Sequence, residues 1–398
     1  VAKSLNFEAW RLATPAEMSE FLNDRPTSPK RRRKSSAALV VRTRIKPVDI
    51  YAYLRARFGE PNGLQNFNRR DDSDNWIHWD FDLRADEVRV SITGTSREVH
   101  FLISEPLSDD EWKALIVGLK AEFARTAKAK SEMTKSFEKF VVFQNKFLTL
   151  AELCAEMHEA ISDARSIPLS LPRTDTKRGV QRYSNALKQM SKRATDLYGD
   201  CLKLRMLTPV MAEAFINMVI LVFCKDGVRN DPVRYAAFIR ATIPERLALL
   251  SENCDGFSRP IDQTSAEYGG FKRVMDKRNF AIHGNVEPVR EQIETVFFEG
   301  KRPLFNESGD NLVKFFEHLD QINAPKEVIA DYEAVHLFLV VLVDHLSPRN
   351  KWFFEQVIND PFPGYELRKK RVTKILPNHE VIALIPGLRY DDDLSVTW

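Results

Sequence analysis

The apolar pattern of this chain changes period once, near residue 127, and that change limits the fold to two dissimilar parts. Before it, apolar residues come in short alternating runs. Residues 38–45 are rich in β-branched side chains, and 77–83, 87–93 and 98–104 alternate apolar with polar. Alternation puts successive side chains on opposite faces of a sheet. Gly-Thr-Ser-Arg at 94–97 reads as a hairpin connection, and Gly59-Glu-Pro-Asn-Gly63 as a turn cluster. Residues 47–58 and 107–123 have helical spacing instead, the second opened by Ser108, Asp109 and Asp110 as capping material. The order β, α, β, β, β, α predicts a small α+β domain, with helices packed on an antiparallel sheet.

After residue 127 the spacing is helical. It predicts helices over 128–166 and 180–206. It then predicts one capped by Thr208, begun by Pro209 and running to about 225. Further helices are expected from Asp231-Pro232 to about 250, and over 265–282, 311–322, 326–346 and 352–358. The fold class is therefore α+β. The expected division is an N-terminal segment and basic linker at 1–37, an α+β domain at 38–126, a mainly α-helical domain at 127–360 and a C-terminal extension at 361–398. Within the extension, 381–385 is rich in β-branched residues and suggests a strand pair.

A chain of 398 residues has room for two or three domains, and 43% hydrophobic content can fill their cores. The net charge of +3 is too small to argue for a polyanionic partner, so local patches must carry that argument. Pro29 to Ser36 includes five consecutive Lys and Arg residues. It reads as a solvated linker, or as a phosphate contact that displaces counterions. Cys154, Cys201, Cys224 and Cys254 match no zinc spacing and read as reduced core thiols. The first ten residues lack an apolar core segment, so no signal peptide is expected. The apolar runs 215–224 and 337–343 are too short to cross a bilayer. The expectation is a cytoplasmic protein with no membrane partner. The few glycines, 15 in all, form no nucleotide-binding pattern.

Asp71, Asp72 and Asp74 precede Trp76, His78 and Trp79. This group reads either as a metal or ligand site or as a loop leading into a strand. Trp76 and Trp79 fall on opposite faces of a regular strand, so one is expected to be exposed for recognition.

Residues 278–283 read Arg-Asn-Phe-Ala-Ile-His and are followed by Gly284 and Asn285. Arg278 belongs to the helical series Phe271, Val274, Met275, Arg278, Ile282, and Gly284 suits the left-handed position after a helix. His283 would sit at the cap, one turn beyond Asn279 on the same face. An Arg can hold a phosphate through two hydrogen bonds, and a His exchanges protons near neutrality. Together they can cleave RNA without a metal or cofactor. The imidazole serves the attacking ribose 2′-hydroxyl, and the guanidinium stabilises charge on the phosphoryl oxygens. One such donor is typically worth about 2.7–4 kcal/mol of transition-state stabilisation. The competing assignment pairs Arg278 with a carboxylate and leaves His283 as a helix cap.

The string resembles the signature of the HEPN superfamily, whose ribonucleases carry Arg, four to six residues, then His, usually with a polar residue after the Arg. Arg278, Asn279 and His283 match those positions, and Gly284 matches a glycine that recurs after the His. Residues 210–220, with Glu213 and Asn217, look like the buried early helix of several HEPN groups. The resemblance covers about residues 140–350. It implies a helical HEPN-like bundle in which two protomers pair, so that both Arg/His motifs line one cleft. It also implies a metal-independent endoribonuclease that leaves a 2′,3′-cyclic phosphate, of toxin or antiviral-defence type, with a regulatory protein or antitoxin as a further partner.

Within that reading, Glu213 and Asn217 are one turn apart and could orient the motif. Lys272, Arg273 and Lys277 would guide the RNA backbone, or would form a solvated basic face. Two other readings stand beside it. The helical domain could only dimerise or bind nucleotides or RNA, leaving function to the Trp-bearing sheet. A nucleotidyl- or metal-dependent enzyme could instead use the group from Asp71 to Asp74.

Overall fold

The computed structural model describes residues 2–23, 37–64, 77–164, 175–257, 259–282, 286–289, 291–375 and 388–398. The chain is α+β with a helical bulk, in two compact units. The first comprises Val1–Val141, Glu366–Lys370 and Lys374–Trp398. The second comprises Val142–Tyr365 and Arg371–Thr373.

The first unit is built on a five-stranded antiparallel sheet. Its strands are β1 (Trp10–Leu12), β2 (Ala37–Val41), β3 (Trp79–Ala85), β4 (Val88–Gly94) and β5 (Val99–Ile103), in the order β1-β3-β4-β5-β2. Its helices are α1 (Pro15–Asn23), α2 (Pro47–Phe58), α3 (Asp109–Arg125) and α4 (Ala127–Ser136). Burial alternates along β4, with Val88, Val90 and Ile92 inside. Ser108 and Glu111 start α3 with a reciprocal capping box. Tyr53 and Leu54 of α2, and Trp112, Leu115 and Leu119 of α3, join Phe81, Leu83, Ile92 and Phe101 in one core. Each such side chain contributes about 1.5–3 kcal/mol by burial.

β3 departs from simple alternation because both of its faces are covered. Asp82 is 1% exposed, and Arg89 grips its carboxylate through Nε at 2.6 Å and Nη2 at 2.5 Å. A carboxylate buried this deeply needs such a partner. Asn62 closes over the same strand, donating to the Asp82 carbonyl at 2.8 Å and accepting from its amide at 2.9 Å. Trp79 lies in the core. Trp76 and the acidic group at 71, 72 and 74 lie outside the described residues.

The second unit follows β6 (Phe140–Val142). It contains α5 (Lys146–Ala164), α6 (Lys177–Phe223), α7 (Asp226–Arg229), α8 (Pro232–Arg240), α9 (Ile243–Ala248), α10 (Leu250–Asn253) and α11 (Ala266–Ile282). A hairpin, β7 (Val296–Glu299) and β8 (Arg302–Phe305), precedes α12 (Asn311–Asn323), α13 (Pro325–Asp344) and α14 (Pro348–Ile358). The pair β9 (Gly364–Glu366) and β10 (Val372–Thr373) sets Tyr365 opposite Val372.

Several boundaries differ from the sequence expectation, each for a local reason. The stretch 128–166 is interrupted before α5, where buried Asn145 donates to the carbonyls of Ile358 and Asp360 and accepts from Leu148 N. The two helices expected around Thr208 and Pro209 are one helix of 47 residues. Thr208 does not cap. Its hydroxyl donates back to the Leu204 carbonyl at 2.7 Å. An interior proline costs a helix about 3 kcal/mol, but Met211, Phe215, Ile216 and Val219 beyond it are buried in the core, which offsets the break. The joined helix is long and apolar enough to cross a bilayer, and 56% of its apolar window is buried inside the protein. The helix expected to run to 250 stops at Ala241, and Thr242 with Glu245 caps a new start. The strand pair expected at 381–385 lies outside the described residues.

Candidate active site

α11 carries the Arg/His motif and is fixed by packing along one stripe. Phe271, Val274 and Met275 are buried. Phe271 stacks on Phe338 of α13 with ring centroids 4.4 Å apart, and Tyr268 meets the same ring edge-on. Arg278 follows Val274 and Met275 on that stripe, and the protein half-buries it. Its Nη1 donates to Asn279 Oδ1 at 3.0 Å, while its Nε is buried without a hydrogen-bond partner. Among the described residues no carboxylate pairs with Arg278.

α11 is described as far as Ile282. His283 and Gly284 lie outside the described residues. Lys272, Asp276 and Asn279 are exposed at i, i+4 and i+7 along one helical line. Arg273 is also exposed, on a neighbouring line. Lys277 is engaged differently. Its Nζ lies 2.8 Å from Asp331 and 3.4 Å from Glu327, both on α13. Of the three cations expected to guide RNA, two stand exposed and one is neutralised by carboxylates.

Glu213 and Asn217 are occupied by a residue that sequence reasoning missed. Arg246 of α9 is 6% exposed, and it donates to Glu213 Oε1 at 2.7 Å and to Asn217 Oδ1 at 2.6 Å. This cluster belongs to the opposite end of α11, since Gln263, just before that helix, donates to the Pro244 carbonyl of α9. From Ala266 to Arg278 the helix advances about 18 Å. The structure therefore brings Glu213 and Asn217 to Arg246, and not to Arg278. The available signal was the Thr242-Ile-Pro-Glu245 capping sequence, which makes Arg246 the next residue of a helix beside α6.

All four cysteines are free and buried. Burial pushes the Cys154 and Cys201 thiols up to about 11, and raises Cys254 further. None is poised as a nucleophile. The half-buried His336 has its pKa lowered by burial and by His158, and its ring meets Tyr332 at 4.4 Å. His345 Nδ1 donates to the Val341 carbonyl at 2.8 Å. These histidines serve packing.

Compared with protein-family models, with curated proteins and with solved structures, the chain matches none.

Proposed function

We propose that this chain is a metal-independent endoribonuclease of the HEPN type, acting as a toxin or antiviral-defence effector. Arg278 and His283 are its catalytic residues, and Asn279 positions the guanidinium. The observation that carries this reading is the contrast between two arginines of the same unit. Arg246 has a carboxylate counter-charge and an amide, the partners of a structural arginine. Arg278 is half-buried with the neighbouring Asn279 amide as its side-chain partner and, among the described residues, no carboxylate, whereas the Nε is buried without a hydrogen bond in both arginines. A half-buried cation without a counter-charge is costly to desolvate. Such a cost is tolerated where the group awaits an anionic ligand.

In this mechanism Arg278 holds the scissile phosphate and stabilises the charge that builds on its equatorial oxygens. His283 withdraws the proton of the 2′-hydroxyl as that oxygen attacks phosphorus. The P–O5′ bond breaks, and a protonated imidazole returns a proton to the leaving 5′-oxygen. The base and the acid are different imidazoles, so two copies of the motif complete the site. We accordingly propose a homodimer with both motifs in one cleft. Exposed Lys272 and Arg273 supply phosphate contacts beside it.

The chemistry of the cut ends tests this reading. RNA incubated with the protein in excess chelator should yield 2′,3′-cyclic phosphate and 5′-hydroxyl ends, read by mass spectrometry. Products with 3′-hydroxyl ends and strict magnesium dependence would contradict it.

A further inference from the structure

Residues 389 and 390 meet the open edge of β2 at Val40, and the segment continues past the 42–46 turn to the start of α3, all within the first unit. Val40 N donates to the Arg389 carbonyl at 2.8 Å, and Val40 bridges Tyr390 in parallel. Asp391 is fully buried. Its carboxylate accepts from the backbone amides of Arg42 (3.1 Å), Thr43 (3.1 Å) and Arg44 (2.9 Å), and from the Thr43 hydroxyl at 2.8 Å. Leu394, three residues on, is 7% exposed and inserts into the core. Arg42 pairs with Asp392 through Nε at 2.9 Å and Nη2 at 2.7 Å, and lies over the Tyr390 ring at 4.0 Å. Asp109, in the first turn of α3, accepts from Arg389 Nη2 at 2.5 Å and from Ser395 N at 2.8 Å.

We propose that this groove is a docking site for an extended acidic peptide, and that residues 388–398 occupy it as a ligand in cis. Two anchors are buried, a carboxylate and an aliphatic side chain three residues later. Asp392, Asp393, Ser395, Thr397 and Trp398 around them are exposed. That is the anatomy of linear-motif recognition. Strand addition at a sheet edge supplies backbone affinity, and a backbone amide nest selects the carboxylate. The five strands of the sheet are already contiguous without this segment. The groove therefore fits a partner protein offering an aromatic residue, Asp, a further acid and, three residues after the Asp, an aliphatic side chain. Because the segment belongs to the same chain as the groove, it competes at an effective concentration of roughly millimolar, so a partner must present a better segment or meet a chain whose own segment has been released.

The test inserts a specific protease site between residues 380 and 381 of the full chain. After cleavage, excess fluorescent peptide of residues 388–398 is added. The cleaved protein should exchange its fragment for the labelled peptide with saturation and keep its circular dichroism throughout. The uncleaved chain should take up at least tenfold less. A peptide carrying Asp391→Ala should bind at least tenfold more weakly than the unaltered one. Failure to exchange, equal binding of the altered peptide, or loss of folded signal as the fragment leaves would each overturn the proposal and make the segment part of the fold.

Discussion

Lys277 lies 2.8 Å from Asp331, and that ion pair ties the motif-bearing end of α11 to the early turns of α13. Its charge is spent inside the protein. Lys272 lies five residues earlier and is exposed. The two lysines should therefore behave differently. Lys272→Ala should lower the slope of log affinity against log salt for single-stranded RNA by about 0.7, one phosphate contact. Lys277→Ala should leave that slope unchanged and lower the melting temperature by a few degrees. Fluorescence anisotropy over a salt series, with melting curves of both variants, distinguishes them.

The Glu213–Arg246 pair should respond asymmetrically. Arg246 is nearly enclosed, whereas the Glu213 side chain is 34% exposed. Glu213→Ala strands a buried cation and should cost about 3 kcal/mol, the lower end for a broken buried pair. Arg246→Met leaves a carboxylate that water can reach, and should cost about half as much. Denaturant titration measures both, and the reverse order would contradict this account of the cluster.

The thiols should be inert in the native protein. Burial holds Cys154 and Cys201 at about 11, so their reactive thiolate is scarce at pH 7.5. An aromatic disulfide reagent should label none of the four cysteines within minutes, and all four after denaturation. Rapid labelling of one thiol in native protein would show that the helices covering it open.

Acid should loosen residues 388–398. The Ser395 amide and the Arg389 guanidinium hold the Asp109 carboxyl below its usual range, and Arg42 does the same for Asp392. A depressed carboxylate contributes fully above its unfolded value, about 3.9, and loses that contribution as pH falls through the folded value. Amide exchange at Ser395, whose N–H donates to Asp109, corrected for intrinsic pH dependence, should speed up below about pH 4. Protection that persists to pH 2 would contradict this electrostatic account.

Strands β4 and β5 and helix α11 were legible in the sequence because each obeys one period. β4 and β5 alternate, and α11 keeps Phe271, Val274 and Met275 on one stripe. β1 was not legible, because three residues are too short to show a period and its partner β3 lies some seventy residues away. Pro209 misled because proline starts helices more often than it is carried inside one, and only the core around Phe215 and Val219 reverses that preference. The Arg278 to His283 string stood out in the sequence by its residue types, and its chemistry is proposed above. Its surroundings were not legible, since Lys277–Asp331 and Arg246–Glu213 join residues far apart in the chain that local spacing cannot pair. Asp391 was hidden for the same reason, its amide nest being supplied by residues 42–44.

The most direct test of the central claim compares the wild-type chain with His283→Ala in a quantitative RNA cleavage assay in excess chelator, alongside thermal melting. The account predicts that the wild type cleaves and that the variant loses at least a hundredfold in rate, the lower range for general acid–base catalysis, with an unchanged melting curve. Equal cleavage by two equally stable proteins would contradict the catalytic assignment and leave Arg278 and His283 as structural residues.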